Sequence, residues 1–261
     1  MTTEQVLLKE RRGAVICVTL NRPHAMNSLN SVLRAQLTAF WREFRDNNEL
    51  RVAIITGAGG RAFSSGRDFK ETAIADAEGS KLDYDASGEF GYPDAVQLGK
   101  PVIAAIDGHC LASGLRVAVA CDIRIATEQS SFGNPQVARG RGTRMPLDLA
   151  GAGLPRAVVM DMVLTGEPLS AEQALQWGLI SRIVPQADLM ATAWSLAEKI
   201  AGNSPAVVGG IKRAVEAGLL DLPVNEARRL YAHVSGGMMS NTQDAIEGAK
   251  SFAQKRKAEF N

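Results

Sequence analysis

Apolar and polar positions along this chain change period from block to block. Ala14 to Leu20 is a β-branched run and reads as a strand, and Arg51 to Thr56 reads as a second, buried one closed by Gly57-Ala-Gly-Gly60. Between them Asn30-Ser31 can cap a helix whose Leu33, Leu37, Phe40, Trp41 and Phe44 share one face. Pro101 to Asp107 predicts another strand, Ser113 to Ala120 a short apolar helix, and Asp122 to Ala126 a further strand. Strands alternating with helices predict an α/β fold. From Glu71 to Lys100 the pattern dissolves into Gly, Asp, Ala and Tyr, which predicts a mobile flap or an irregular helix.

Beyond Pro155 the character becomes helical. Ser170-Ala-Glu-Gln173 is a capping-box pattern, and Trp177 to Pro185 reads as helix end, short strand and stop. Helices are expected over 187–201, 206–218, 225–234 and 242–258, with apolar faces that a second subunit would bury. No linker or repeat divides the chain, so the expected organisation is a core over 1–200 and a helical region over 201–261.

Composition narrows the function classes. Apolar residues make up 46% of the 261 residues, enough for a sizeable core, and no run is long and uncharged enough to span a bilayer. A net charge of +1 gives no global attraction to nucleic acid or to a membrane surface. The first residues lack a basic-then-apolar signal pattern, so a cytoplasmic location is expected. Cys17, Cys110 and Cys121 contain no CxxC and read as reduced thiols; His24, His109 and His233 form no ligand motif, so no metal is expected. The basic cluster Lys250, Lys255, Arg256 and Lys257 reads either as a solvated helix end or as a contact for an anionic ligand.

Two glycine-bearing turns carry the chemistry. Ala105 to Asp122 reads as strand, tight turn and helix, a geometry that aims backbone N–H groups at a developing oxyanion. Gly57 to Asp68 can supply a second donor. Gly57-Ala-Gly-Gly-Arg-Ala62 also matches a dinucleotide fingerprint, but weakly: the expected helix and the acidic residue roughly twenty positions on do not follow.

Leu20-Asn-Arg-Pro-His-Ala-Met-Asn-Ser-Leu29, the segment Ile54 to Asp68, Ile106 to Leu115, Leu164 to Val184 and the tail Ser251 to Phe260 together resemble, in order, the crotonase (enoyl-CoA hydratase/isomerase) superfamily. The resemblance implies a spiral core of ββα units with two roughly perpendicular sheets. It also implies a C-terminal helical trimerisation region, the trimers usually pairing into hexamers. It implies an acyl-CoA thioester as substrate, coenzyme A being part of that substrate and no separate cofactor being needed. The oxyanion donors it implies are the backbone N–H groups of Arg67 and Ser113. Coenzyme A contacts would fall at His24, Ala62, Ser64, Ser65, Gly66 and Asp68, with Phe252 and Lys255 reaching a neighbouring subunit's ligand.

The chain departs from that family where hydratases carry two glutamates: those positions hold Arg116 and Gln136. Arginine stays protonated near neutrality and glutamine cannot usefully transfer protons, so two-glutamate hydration is not expected. Arg116 either turns away to pair with a carboxylate or binds an anion beside the acyl group. Arg139, Arg141 and Arg144 follow, Arg141 near a position where some members carry an aspartate; Arg116 with Arg139 or Arg141 could clamp a carboxylate through bidentate bonds. Replacement acids would come from Asp83, Tyr84, Asp85, Glu89 and Tyr92, or from His109. The leading expectation is a lyase, isomerase or hydrolase working through a thioester enolate, by decarboxylation, hydrolysis or isomerisation of a carboxylated acyl-CoA. A non-catalytic acyl-CoA-binding or regulatory protein is the alternative, and a nicotinamide oxidoreductase the third reading.

Overall fold

The computed structural model describes residues 5–77, 91–93, 98–218, 222–234 and 242–260. Its larger sheet has six strands in the order β1 (Leu7–Arg12), β2 (Val15–Leu20), β3 (Val52–Gly57), β5 (Val102–Ile106), β7 (Ile123–Thr127) and β10 (Arg182–Val184). All neighbours are parallel except β1 and β2. Side chains alternate across the central strands with period two. Ile16, Val18, Ala53, Ile55, Val102 and Ala104 face one core, which holds Leu33, Leu37, Phe40, Trp41 and Phe44 of α1 (Ser31–Asp46). Val15, Cys17, Val52, Ile54, Ile103 and Ala105 face the other, covered by Leu189, Ala193, Trp194 and Ala197 of α7 (Leu189–Ala201). A helix on each side explains why these strands read as continuous apolar runs.

Asn30 caps α1 as expected, its side chain accepting from Leu33 N–H. The capping box of Ser170 and Gln173 is present at the start of α6 (Ala171–Gln176). The edge strand β1 had no sequence signal, because only Leu7 of Leu-Leu-Lys-Glu-Arg-Arg is buried. The flap segment opens as a helix, α2 (Phe69–Ala77); Asp83, Tyr84, Asp85 and Glu89 lie outside the described residues. Cys17, Cys110 and Cys121 are free and buried, and burial pushes the Cys17 thiol up to about 12.

A second sheet of four short strands, β4 (Ala62–Ser64), β6 (His109–Leu111), β8 (Ser131–Gly133) and β9 (Leu169–Ser170), positions the site. Ala62 pairs with His109 and Leu111 with Gly133, both in parallel. The chain therefore leaves β4, β6 and β8 on one side, where ligands of parallel sheets usually bind. The continuation of Gly57-Ala-Gly-Gly60 is β4 and not a helix, which removes the dinucleotide fingerprint.

Two helices, α4 (Met145–Gly151) and α5 (Arg156–Thr165), lead from the β8 loop towards β9, α3 (Ser113–Val119) follows β6, and α8 (Pro205–Glu216), α9 (Val224–Val234) and α10 (Gln243–Ala253) end the chain. The last helix stops five residues before the expected Ala258. Lys255 takes φ +52°, and Arg256 folds back to pair with Glu247, which also accepts from Glu259 N–H. Val207, Ile211 and Val215 on α8, Leu230 on α9 and Ile246 on α10 are exposed in the isolated chain. Among the described residues no helix is long and apolar enough to cross a membrane.

Candidate active site

Three segments converge beyond β4, β6 and β8. In the first, Leu29 N–H donates to Gly66 C=O and Asp68 N–H donates to Leu29 C=O. This bridge turns Arg67's own N–H to the opposite side, since peptide groups alternate along extended chain. Gly66, at φ +93°, lies there against the second turn: a Cβ on it would stand 2.9 Å from Ala112 Cβ and 3.0 Å from Ser113 N. Ser113 is the first residue of α3, so its N–H has no acceptor within the helix. Ala112 before it is held at φ 48°, ψ −120°, a strained conformation for an L residue.

Asn27 and several residues that resemblance associates with coenzyme A brace this turn from behind. Asn27, 1% exposed, donates to Ala58 C=O (2.9 Å) and Ala62 C=O (2.7 Å) and accepts from Arg22 N–H (2.9 Å). Ser64 is fully buried, donating to Asn27 C=O and accepting from Gly66 N–H. Ser65 donates its N–H to Met26 C=O. Asp68 pairs with Arg22 at 3.0 Å, both side chains being nearly buried. Burial alone would raise the Asp68 carboxyl, but Arg22, Ser28 and the Lys70 N–H more than offset it and hold it below the usual carboxylate range. Ala62 and Ser64 lie in the interior, and the Asp68 side chain is taken up by Arg22 and Ser28. His24 is exposed on a short 3-10 turn (Pro23–Ala25). Phe252 is 87% exposed on α10, and neither it nor Lys255 lines the cavity.

In front of the turns lies a cavity of two adjoining lobes. One, of about 380 Å³, is lined by Arg67, Tyr92, Ala112, Ser113, Arg116, Gln136, Gly142, Thr143, Arg144, Met145 and Asp148. The other, of about 470 Å³, shares Arg67, Ala112, Gln136 and Gly142 and adds Phe69, Arg139, Gly140 and Arg141. Arg139 and Arg141 stack on the Phe69 ring at 4.7 and 5.8 Å from its centroid. Five arginines thus face this space, with Asp148 as the one carboxylate among the described lining residues.

The two alternatives for Arg116 merge. Its Nε lies 3.0 Å from Asp148 Oδ1, and its guanidinium stacks on the Tyr92 ring at 4.9 Å, yet both it and its carboxylate partner line the cavity. Gln136 Oε1 is buried in the same wall with no hydrogen-bond partner among the described residues. His109, bonded to Ser131 Oγ at 2.8 Å, does not reach the cavity. Asp148 carried no sequence signal: it stands on a seven-residue helix and meets Arg116 only through the packing of α4 on α3. Among the described residues no cluster of His, Cys, Asp or Glu is placed to hold a metal.

The whole chain has relatives. Residues 10–261 match the family model described as enoyl-CoA hydratase/isomerase. The chain is 41% identical over 248 residues to (E)-benzylidenesuccinyl-CoA hydratase of Thauera aromatica, covering 94% of this chain and 95% of that protein. It is 35% identical over 258 residues to carnitinyl-CoA dehydratase of Escherichia coli K12, covering 94% of each. An enoyl-CoA hydratase structure from Mycobacterium tuberculosis superposes with TM-score 0.86 at 32% identity, covering 99% of both chains. With this likeness running through both turns, both sheets and the C-terminal helices, the chain belongs to the enoyl-CoA hydratase/isomerase family, the crotonase superfamily.

Proposed function

We propose that this protein adds water to, or removes it from, a coenzyme A thioester whose acyl group carries a free carboxylate. The observation that carries the reading is the set of five arginines around a cavity that begins at Arg67 and Ser113. Addition, elimination and α-proton removal all place negative charge on the thioester oxygen. The N–H groups of Arg67 and Ser113 would hold it, each such donor being worth about 3–4 kcal/mol. Arg139, Arg141 and Arg144 would hold the acyl carboxylate by charge-assisted, bidentate bonds.

The two named relatives differ in what they act on. Benzylidenesuccinyl-CoA keeps one carboxylate free, whereas the carnitinyl group carries a quaternary ammonium that this lining would repel. The arginines support the anionic class. They also support a second reaction on the same substrate class, decarboxylation, because loss of CO₂ generates the enolate without a base. Backbone at Ser65, Arg67 and Asp68, where the segment keeps some exposure, and His24 would meet coenzyme A. A homotrimer, alone or paired, would cover the exposed faces of α8 and α10 and bring Phe252 and Lys255 to a neighbour's ligand.

The test is calorimetric binding and mass-spectrometric turnover of glutaconyl-CoA against 2-pentenoyl-CoA, and of (E)-benzylidenesuccinyl-CoA. The anionic thioesters are expected to bind about 30-fold tighter, the equivalent of about 2 kcal/mol for a charge-assisted pair. Equal affinity for the matched pair overturns the arginine clamp. Binding without turnover of any thioester moves the protein to a non-catalytic role.

A further inference from the structure

We infer that Asp148 is the residue that moves the proton in this site, and that Arg116 positions it. The inference rests on the proposed water addition and names the group that performs it. Of the described residues lining the two lobes, the arginines cannot release a proton near neutrality, Gln136 cannot carry one, and the Tyr92 ring is taken up by stacking on the Arg116 guanidinium. Asp148 is the lining carboxylate, and its place is set by geometry. Arg116 stands three residues after Ser113 on α3, on the same helical face, so the guanidinium lies one turn from the Ser113 N–H. Its Nε holds Asp148 Oδ1 at 3.0 Å while Tyr92 packs on the guanidinium, so the carboxylate is gripped beside the donor and not left to swing. A tilt of the carboxylate would break a pair whose two side chains are only 20% and 23% exposed.

The unpartnered Gln136 Oε1 in the same wall completes the arrangement. A water molecule has two hydrogens to donate. Given one to Gln136 Oε1 and one to the Asp148 carboxylate, its oxygen lone pair is left for the β-carbon of the enoyl thioester. As the oxygen–Cβ bond forms, the water O–H bond to Asp148 breaks and the proton passes to the carboxylate. The C=C electron pair moves through Cα onto the thioester oxygen. Asp148 then returns that proton to Cα as the enolate collapses, so H and OH have been added across the double bond and the carboxylate is regenerated. One carboxylate serves both halves, which is why the absence of both hydratase glutamates does not preclude hydration.

The experiment follows solvent-deuterium incorporation at Cα of glutaryl-CoA, and turnover of glutaconyl-CoA, in the parent protein and in four variants, with binding of each thioester measured alongside. Asp148→Asn is expected to lose at least about 100-fold in both rates, the low end for general acid–base catalysis, with affinity within threefold. Asp148→Glu should recover part of that loss. Because Asp148→Asn removes a counter-charge of Arg116, Arg116→Met/Asp148→Asn, neutral on both sides, repeats the test in a fold spared that strain. Arg116→Lys keeps the charge but not the Nε contact, and should lower kcat about tenfold with KM unchanged; a rise in KM alone would make Arg116 a substrate clamp and not a positioning residue. Exchange and turnover of Asp148→Asn or of the double variant within threefold of the parent overturn the inference while leaving the carboxylated-substrate reading standing. A parent protein that binds these thioesters and exchanges no proton overturns it as well. A parent indifferent to the acyl carboxylate refutes the substrate reading alone if its exchange still depends on Asp148.

Discussion

Gly114→Ala tests whether the close approach of the two turns is what makes the site. Gly114 is the second residue of α3, and a methyl group there would stand 2.6 Å from Ser64 Cβ and 2.9 Å from Ser64 C, with Ser64 O nearer still. Ser64 is fully buried and bonded to Asn27, so it cannot turn aside. To reach an ordinary contact of 3.4 Å the two turns must separate by about 0.8 Å or more. That displacement moves Ser113 relative to Arg67, three residues beyond Ser64. Misplacing a donor by such a distance costs about 10²-fold, and losing it outright about 10²–10³-fold in kcat. Overpacking adds about 1–3 kcal/mol of lost stability, which leaves the chain folded at 25 °C if the parent has the usual 5–15 kcal/mol. The direct assay is the ¹³C shift of the thioester carbonyl in a bound, labelled acyl-CoA, read with kcat. In the parent the carbonyl should be strongly polarised, and in Gly114→Ala it should return towards its value in water. Gly151→Ala, at a site with open space around it, is the control and should change neither. An unshifted carbonyl and unchanged kcat in a folded Gly114→Ala would refute the argument that this contact sets the donors.

Asn27→Ala removes three hydrogen bonds and takes this partner from the buried Ala62 carbonyl and from the half-buried Ala58 carbonyl and Arg22 N–H, so a loss of about 3 kcal/mol is expected in urea denaturation. Arg22→Met removes the charged partner at 3.0 Å from the nearly buried Asp68 and should cost about 3 kcal/mol at neutral pH. Because the Asp68 carboxyl is lowered in the folded state, its stabilisation is present above the unfolded value of about 3.9 and is lost as pH falls through the folded one. The gap between Arg22→Met and parent should therefore shrink in acid; a gap independent of pH would contradict the pairing. Ala112→Gly relieves a positive φ and should raise stability by about 1 kcal/mol in thermal unfolding, while a loss would show that the Ala112 methyl against Gly66 matters more. Arg139→Gln/Arg141→Gln should raise KM for a carboxylated thioester about tenfold and leave 2-pentenoyl-CoA binding unaltered.

Local pattern was enough for much of this molecule. The β-branched runs of β2, β3 and β5, the face of α1 from Leu33 to Phe44, and the caps at Asn30 and Ser170 each depend on neighbours a few positions away. So do the two glycine turns, whose backbone shape rests on the positive φ of Gly66 and Gly108. Where local signal was thin it misled or said nothing: β1 is a polar edge strand, and the helix expected to Ala258 ends at Ala253, after which Lys255 takes φ +52° and Arg256 folds back on Glu247. The side-chain chemistry at Arg116 lay beyond any such pattern. Its sequence neighbours show only that a glutamate is missing, and permit both an outward ion pair and an inward anion site. Thirty-two positions later Asp148 looks like an ordinary acidic residue in a first helical turn. Only packing α4 against α3 brings the two within 3.0 Å and sets them in one wall with the unpartnered Gln136. Secondary structure depends on interactions between near neighbours and is therefore written along the chain; an active site is a meeting of side chains from separate elements, and depends on distances that only the folded core determines.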